Sequence, residues 1–267
     1  MNLEQLCQQT IEISKEAGAF IKQEAATFDR SKIEKKGFND LVSYVDKHAE
    51  ELLVKGLKKI LPEAGFITEE GTETIRQEQY NWIIDPLDGT TNFTHGLEHY
   101  AVSVGLMENQ EIVLGVIYNP AHDECYYAYK DGGAYLNGKP IKVSDAPALE
   151  DSLIATGFPY HDFNLTQQYL QVLGSFMGKS HGVRRIGSAA LDLAYVAAGR
   201  CEGFFEYNLN PWDVAAGIVI VKEAGGHLSK FTKGGDYLFG REIVASNKNI
   251  HKEMLDTIEE FWKVRMH

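Results

Sequence analysis

The pattern of apolar residues changes near residue 143, and this change constrains the fold more than any other feature. From Ala101 to Val143 short runs rich in Val, Ile and Tyr are separated by turns containing Asn, Gly and Asp. This spacing predicts an antiparallel meander of strands. After Ser144 strand-like and helix-like segments alternate. We therefore predict an N-terminal lobe over residues 1–143 and a C-terminal α/β lobe over residues 144–267, joined in one catalytic unit.

Helical spacing is found on both sides of this boundary. It predicts helices over residues 1 to about 30 and 43–61, with a loop at "KKGFNDLVS" between them and a strand at "GFITEE" after them. In the second half we predict strands at "SLIATGF" and "GFFEY". The helices predicted there cover "LTQQYLQVLGSFM", "SAALDLAYVAAG", "DVAAGIVIVKEAG" and "HKEMLDTIEEFWKV". The fold class that follows is mixed α and β.

Charge and composition limit the partners. The net charge is -12 and the basic residues are scattered, so we expect no nucleic-acid binding. The N-terminal segment fits one helix face instead of a signal peptide, and no apolar run approaches membrane-spanning length. The 3 cysteines form no C-x-x-C pair and are predicted to be buried thiols in a reducing compartment. These observations predict a cytoplasmic protein without membrane contact.

The stretch "WIIDPLDGTT" places two carboxylates close together. Trp82 to Ile84 read as a buried strand, and we predict that it stops at Asp85 because Pro86 cannot donate to a neighbouring strand. Asp85 and Asp88 would then lie just past the strand end. Crowding two anions is unfavourable unless a cation lies between them, so the pair is either a solvated turn or a cation site.

Further acids stand where other elements begin or end. Adjacent side chains of an extended segment point to opposite faces, so only one of Glu69 and Glu70 can face a shared site. Asp213 precedes an Ala-rich run and could be only a helix cap. Taken together, however, such oxygens suit Mg²⁺, and the small and hydroxylated residues Gly89 to Thr91 suit a phosphate. Because an acidic pocket repels phosphate, bridging metal ions are required. His95 and His99 have helical spacing but no third ligand, and we interpret them as surface or loop residues.

Two long motifs, "WIIDPLDGTTNFTHG" and "WDVAAGIVIVKEAGG", occur with "ITEEG", "GSAALDLAYVAAG" and "NDLVSYVD". In content and order they resemble the inositol monophosphatase family of magnesium-dependent, lithium-sensitive phosphatases, over essentially the whole chain. The resemblance implies a layered αβαβα sandwich of the inositol monophosphatase and fructose-1,6-bisphosphatase type. It also implies a homodimer and Mg²⁺ as cofactor, two or three ions in each active site.

The resemblance assigns roles to particular residues. It implies metal ligands at Glu69, Asp85, Asp88, Asp213 and the main-chain carbonyl of Leu87. Catalysis would use Glu69 and Thr90 to orient the attacking water, with Thr90 paired to Asp46. Phosphate would be held by Gly89 and Thr90, whereas Ala189 and Glu206 would contact the hydroxyls of the alcohol.

Substrate choice is more open than reaction type. Glu206 favours a polyol, so the first expectation is hydrolysis of inositol-1-phosphate to inositol and phosphate. However, Asn210 and Pro211 replace the His-Cys pair typical of animal members. Fructose-1,6-bisphosphate, 3′-phosphoadenosine nucleotides and histidinol phosphate therefore stay as alternative substrates. A second class of hypothesis is a regulatory binding subunit built on the same scaffold.

Overall fold

The structure, a computed structural model, describes residues 1–28, 34–37, 40–42, 44–159, 163–232 and 235–262. Its helices are α1 (Leu3–Ala25), α2 (Tyr44–Ile60), α3 (Thr90–His95), α4 (Thr166–Lys179), α5 (Ala189–Ala197), α6 (Pro211–Glu223) and α7 (His251–Phe261). Its strands are β1 (Glu34–Gly37), β2 (Asp40–Val42), β3 (Gly65–Thr68), β4 (Tyr80–Asp88), β5 (Ala101–Glu108), β6 (Glu111–Asn119), β7 (Glu124–Tyr129), β8 (Ala134–Leu136), β9 (Lys139–Pro140), β10 (Leu153–Thr156), β11 (Gly182–Arg184), β12 (Gly203–Tyr207), β13 (His227–Ser229) and β14 (Glu242–Ser246).

The strands form two large sheets and a hairpin. The first sheet has 7 strands in the order β3-β4-β5-β6-β7-β8-β9, with β3 parallel to β4 and every later pair antiparallel. The second has 5 strands in the order β11-β10-β12-β14-β13, parallel from β11 to β12 and antiparallel beyond. The predicted meander over residues 101–143 is confirmed as the outer part of the first sheet.

Helices cover the sheets in layers. α1 and α2 pack on one face of the first sheet, α5 and α6 fill the space between the two sheets, and α4 and α7 cover the outer face of the second. Three buried apolar clusters lie between the layers, and one of them extends over both faces of the α5 and α6 layer. The order is αβαβα, which confirms the fold class. No helix among the described residues is both long and apolar enough to cross a bilayer, and the three cysteines are buried.

Strand β4 shows how the fold assigns side chains to layers. Trp82 and Ile84 lie in the cluster beneath α1 and α2, whereas Ile83 lies in the cluster beneath α5 and α6. This alternation is the period of two expected of a strand with both faces buried. By the same period, Asp85 shares the face of Ile83 and points toward the α5 and α6 layer.

The prediction that the strand stops at Asp85 is wrong. β4 continues to Asp88, and its register against β5 shifts so that Asp85 pairs with Ser103 but Asp88 pairs with Ala101. Three steps on β4 therefore match two on β5, which is a β-bulge. The extra residue accommodates Pro86, which cannot donate to a neighbour. It also turns Asp88 onto the face of Asp85, because residues three apart on a regular strand face opposite sides.

Other boundaries differ from the prediction. Part of the predicted loop at residues 35–43 forms two antiparallel strands, β1 and β2, and residues 38–39 and 43 lie outside the described residues. α1 ends at Ala25 and α6 begins at Pro211, two residues before the predicted start. The C-terminal end of the last predicted helix, residues 263–264, also lies outside the described residues. Strands β11, β13 and β14 were not predicted.

Close packing brings α6 onto the first sheet. A Cβ atom built on Gly115 of β6 would lie 2.4 Å from the main-chain oxygen of Ala216 in α6. A Cβ atom on Gly105, its cross-strand partner on β5, would lie 2.9 Å from the Cβ of Ala215. The two glycines let the helix backbone touch the sheet. As a result the first turn of α6, which carries Asp213, lies beside the end of β4.

Candidate active site

A single cleft gathers most of the predicted site residues. It has a volume of about 260 Å³ and lies where the ends of β3 and β4, the start of α3 and the first turns of α5 and α6 meet β10 and β12. The predicted residues that line it are Glu69, Asp85, Leu87, Asp88, Gly89, Thr90, Ala189, Glu206 and Asp213. Asp46 is the one predicted residue that does not line the cleft.

Asp46 instead lies behind the cleft, buried in the first turn of α2. Thr90 Oγ1 lies 2.8 Å from Asp46 Oδ1 and 2.9 Å from the main-chain oxygen of Leu87. Both neighbours are acceptors, so the hydroxyl hydrogen points at one of them and the lone pairs of Oγ1 stay available to another donor. The structure thus brings together the predicted pair, from residues 44 positions apart.

Asp88 is oriented by the start of α5. Its Oδ2 atom accepts hydrogen bonds from Ser188 Oγ at 2.7 Å and from the main-chain N–H of Ala190 at 2.7 Å. Ser188 is also the N-cap of α5, whose side chain accepts from the N–H of Leu191. One oxygen of Asp88 is fixed in this way, and the carboxylate is only partly exposed to the cleft.

Asp213 and Asp85 are held by hydrogen bonds from nearby main-chain groups. Asp213 is at the third position of α6, and its Oδ2 accepts from the N–H of Asn210, the N-cap, at 2.7 Å. Asp213 is therefore not the N-cap itself but the third-position partner of Asn210 in a capping box, and it also lines the cleft. Asp85 Oδ1 accepts from the N–H of Leu87 at 2.9 Å, across the bulge.

Glu69 lines the cleft and Glu70 does not. The loop that carries both follows β3 and is fastened by Glu50, a buried residue of α2. Glu50 accepts from the N–H groups of Glu70 and Thr72, each at 2.8 Å. Hydrogen bonds to an ionised acceptor are stronger than neutral ones. This buried anchor, which sequence reasoning missed, directs Glu69 toward Asp85, to which it is hydrogen-bonded.

Burial and mutual repulsion raise the proton affinity of these acids. Burial, followed by the charges of Glu69, Asp88 and Asp213, raises the pKa of Asp85 well above its ordinary value. Burial also raises the pKa of Asp88 to about 6, although its bonds from Ser188 and Ala190 oppose the shift. For Asp213, burial and the charge of Asp88 raise the pKa to about 7. The cleft therefore favours whatever neutralises its acids, protons or cations.

The oxygen atoms that line the cleft are chemically suited to bind a hard divalent cation. The groups are oxygen atoms from carboxylates and a main-chain carbonyl, which are the ligands that Mg²⁺ takes in proteins. No group of three or more His, Cys, Asp or Glu side chains in the described part of the chain is arranged as a ready metal site, however. The carboxylates share one cleft, and one oxygen of each aspartate is held by a hydrogen bond. The carboxylates do not, however, converge in the arrangement that would hold a cation.

Several residues of the cleft were missed from the sequence. Arg185, Ser188, Asp192 and Asn210 line it or fix its acids. The sequence does indicate Ser188 and Asn210, since each precedes a helical run, as an N-cap residue does. No sequence pattern indicates Arg185 or Asp192, because an isolated charged residue is usually solvated. His95 and His99 do not share a helix face, since α3 ends at His95.

The class of protein follows from three features taken together: the αβαβα fold, the acid-lined cleft, and the threonine–aspartate pair behind it. The model of the inositol monophosphatase family matches residues 2–264, and the chain belongs to that family.

The chain is 40% identical over 251 residues to an inositol-1-monophosphatase of Mesorhizobium japonicum, covering 94% of each chain. It is 41% identical, with the same coverage, to the Nus factor SuhB of Escherichia coli K12. The crystal structure of the extragenic suppressor protein suhB from Bartonella henselae superposes with a TM-score of 0.91 at 40% identity, covering 96% of this chain and 98% of that one. This is a family of phosphatases that are generally metal-dependent.

Proposed function

We propose that the protein is a Mg²⁺-dependent phosphomonoesterase that hydrolyses inositol-1-phosphate to inositol and phosphate. The observation that carries the proposal is the meeting of four acids from three separate elements in one cleft. Glu69 follows β3, Asp85 and Asp88 end β4, and Asp213 opens α6. Repelling carboxylates are unfavourable in an apolar fold unless they serve a ligand, which supports a site for cations and phosphate.

The metal would be held by these acids and by the Leu87 carbonyl, as two or three Mg²⁺ ions. When bound, the ions would neutralise the cleft, polarise the phosphate ester and stabilise the charge of the leaving alkoxide. The chain is prepared for this role, because Ser188, Ala190 and Asn210 fix one oxygen of Asp88 or Asp213. The other oxygen of each carboxylate is left to a ligand.

The chain's own groups would position the water and the phosphate. Thr90, with its hydroxyl hydrogen directed at Asp46 or Leu87, would accept a hydrogen bond from the attacking water and so orient it, together with Glu69. The main-chain N–H groups of Gly89 and Thr90 would hold the phosphate. Gly89 has φ of 96°, a conformation that a side chain would disfavour, and it begins α3 at the rim of the cleft.

Replacement of Asp88 tests the proposal. Asp88→Asn keeps the shape of the side chain and an acceptor for Ser188, but it removes one negative charge from the cation site. We expect phosphate release from inositol-1-phosphate at fixed Mg²⁺ to fall by about 100-fold or more, the loss typical for a group that stabilises the transition state electrostatically. The matched control is Asp145→Asn, at an exposed ion pair with Lys142 that does not line the cleft. Equal turnover by the two variants would remove Asp88 from the scheme.

The alcohol half of the substrate is tested separately from the phosphate half. Ala189 and Glu206 would contact its hydroxyls, and both line the cleft. A panel of inositol-1-phosphate, fructose-1,6-bisphosphate, a 3′-phosphoadenosine nucleotide and histidinol phosphate, assayed with and without Mg²⁺ and Li⁺, ranks the candidates. We expect inositol-1-phosphate to give the highest kcat/KM and Li⁺ to inhibit. Faster hydrolysis of another member would reassign the substrate.

A second candidate function is a role outside catalysis, as a regulatory binding subunit. The observation that favours it is that relatives 41% identical to this chain are named Nus factors. Deletion of the gene, followed by complementation with Asp88→Asn, separates the two functions. Rescue by the inactive variant would favour the binding role, and failure to rescue would favour catalysis.

We further propose that the protein is a cytoplasmic homodimer, with lobes over residues 1–143 and 144–267 in each subunit. Sedimentation velocity tests whether it is a dimer.

A further inference from the structure

Two residues beside the start of α6 have an unusual backbone conformation. Asn208 directly follows β12 with φ of 68°, and Arg241 directly precedes β14 with φ of 62°. This left-handed region is disfavoured for residues with a side chain, and arginine, unlike asparagine, rarely adopts it. The other non-glycine residues with positive φ in the described part of the chain lie in the turns between β5 and β9, namely Asn109, Gln110, Asp123, Asp131 and Asn137. Because β12 and β14 are not consecutive in the chain, a tight hairpin does not account for this pair.

The two residues hold each other by hydrogen bonds. Arg241 Nη2 donates to the side-chain oxygen of Asn208 at 2.5 Å and to its main-chain oxygen at 3.3 Å. The main-chain oxygen of Arg241 in turn accepts from the N–H of Leu209 at 3.3 Å. These bonds extend the antiparallel pairing of β12 and β14 past its last pair, Tyr207 with Glu242. We call Asn208 and Arg241 the Asn–Arg clasp.

On one side the Asn–Arg clasp borders the cleft. Asn208 is separated by a single residue from Asn210, the N-cap of α6, and both residues line the cleft. The N–H of Asn210 donates to Asp213 Oδ2 at 2.7 Å. Since the chain enters α6 directly from Asn208, the backbone conformation of Asn208 sets the position of Asp213. A disfavoured conformation persists only where the surrounding structure enforces it, and such conformations cluster at functional sites.

On the other side the Asn–Arg clasp is anchored by the loop over residues 236–241. Asp236 Oδ1 accepts from the N–H of Phe239 at 2.8 Å, which closes a turn. The guanidinium of Arg76, in the segment between β3 and β4, lies 5.9 Å from the ring centroid of Phe239, a cation–π contact. The loop therefore connects the clasp to the segment that carries Glu69.

We propose that Arg241 is a positioning residue of the active site, which acts through Asn208 to hold the start of α6 where Asp213 can bind a divalent cation. The inference rests on the proposed function, because it concerns how the cleft is prepared for cations. The arginine lowers the stability of its turn but raises the affinity of the cleft for cations. The competing interpretation is a clasp that serves only the pairing of β12 with β14.

Replacement of Arg241 tests the proposal by calorimetric titration with Mg²⁺ alone. Arg241→Gly removes the side chain and relieves the disfavoured φ, so the cation-free variant should unfold at a temperature no lower than the wild type. We expect it to bind Mg²⁺ about tenfold more weakly, the lower end of the loss typical for residues that support metal ligands. The charge of Arg241 alone predicts the opposite, since a cationic side chain beside the cleft repels Mg²⁺. Arg241→Lys, which keeps a donor, should bind almost as tightly as the wild type.

A second substitution tests whether Arg241 acts through Asn208. Asn208→Gly removes the side-chain acceptor of the clasp. In the double variant with Arg241→Gly, the loss of Mg²⁺ affinity should be clearly smaller than the sum of the two single losses, because residues in contact are not additive. The matched control is Gln110→Gly, at an exposed residue with φ of 70° in the turn between β5 and β6. Gln110 does not line the cleft, and its variant should keep the affinity of the wild type.

Hydrogen exchange of the cation-free protein gives a readout that does not depend on a bound metal or on turnover. Amides of residues 208–216 should exchange at least about fivefold faster in Arg241→Gly than in the wild type, because the first turn of α6 loses an anchor and opens more often. The same amides should exchange at the rate of the wild type in Gln110→Gly.

The outcomes separate this inference from the proposed function. If the wild type hydrolyses inositol-1-phosphate but Arg241→Gly binds Mg²⁺ and exchanges as the control does, the Asn–Arg clasp serves only the fold and the inference fails alone. If the wild type releases no phosphate, the proposed function fails, and the Mg²⁺ affinities and exchange rates decide the inference. Weaker binding with faster exchange supports it. Unchanged exchange, or Mg²⁺ binding no weaker than that of the wild type, overturns it.

Discussion

At the scale of single residues, the cleft is organised by holding one oxygen of each aspartate. Asp88 and Asp213 each accept from groups at the start of a helix, and Asp85 accepts across a bulge. An anion that accepts such bonds keeps a fixed orientation without losing its charge. The second oxygens of Asp88 and Asp213 are left for a ligand, and a carboxylate that is already oriented needs less ordering when the ligand binds.

The identity of these acids could be predicted from the sequence, but their partners could not. Strand alternation allowed only one of Glu69 and Glu70 in the site, and the structure places Glu69 in the cleft. Glu50, by contrast, is an unremarkable helix residue in the sequence. Its bonds to Glu70 and Thr72 depend on how α2 packs beside the loop after β3, which is a long-range contact. The catalytic and metal roles themselves stay predictions.

A half-buried histidine outside the cleft predicts a pH dependence of stability. His251 lies between the hydroxyls of Ser246 and Ser229, at 2.7 and 3.0 Å, and burial together with the charge of His227 lowers its pKa to about 4. The unfolded chain binds this proton near pH 6.5, before the folded protein does. The stabilising effect is therefore complete above pH 6.5 and is lost as the pH falls to 4.

Replacing this histidine should flatten the dependence. We expect the free energy of unfolding of the wild type to fall between pH 6.5 and 4, at a slope below the limit of about 1.4 kcal/mol per pH unit for one proton, since the ring keeps some contact with water. His251→Gln should show a shallower slope by urea unfolding over this range. His48→Gln, at an exposed position of α2, is the surface control. Identical slopes for all three proteins would contradict the assignment.

At the scale of secondary-structure elements, the bulge in β4 decides the geometry of the site. Pro86 does interrupt the strand, as its chemistry predicts, but the interruption is one extra residue within β4. Whether a proline ends a strand or sits in a bulge depends on the neighbouring strand, which the local sequence does not show. The missed strand β14 has the same cause. It is a run of five residues whose pairing with β12 spans more than 30 positions.

The contact between β6 and α6 predicts a selective glycine effect. Gly115→Ala would place a methyl group 2.4 Å from the main-chain oxygen of Ala216, and the helix backbone would have to move. We expect the free energy of unfolding to fall by about 1–3 kcal/mol, the usual cost of overpacking a core. Activity should fall as well, because α6 carries Asp213. Both quantities can be measured by urea unfolding and by phosphate release.

The control is a glycine with open space around it. Gly174 lies on the exposed side of α4, and a Cβ there would meet nothing within 4 Å. Gly174→Ala should raise stability by about 0.5–1 kcal/mol, because alanine favours the helix and restricts the unfolded chain. If both variants were as stable as the wild type, close packing of α6 would not be what positions Asp213.

At the scale of the whole molecule, the layers explain why distant residues meet. The helices α5 and α6 lie between two sheets, so their first turns are brought to the ends of strands from both. The change of pattern near residue 143 predicted mixed α and β content. The order of the layers came from the resemblance, because strand order and sheet assignment are set by long-range pairing that periodicity does not encode.

The same arrangement makes the cleft a site of concentrated charge within an already acidic chain of net charge -12. Phosphate would be repelled by such a surface unless cations are bound first. Metal binding should therefore stabilise the whole protein, since a ligand that binds only the folded state raises its stability. The proposed hydrolysis thus depends on divalent cations being held by the four acids.

The most direct test is an anomalous difference map from crystals of the protein grown with Mn²⁺ in place of Mg²⁺. We predict peaks in the cleft at about 2.0–2.3 Å from carboxylate oxygens of Asp85 and Asp88, with Glu69 and Asp213 completing the ligand set. Peaks absent from the cleft at millimolar Mn²⁺, in crystals whose dissolved protein still hydrolyses phosphate esters, would contradict the central claim.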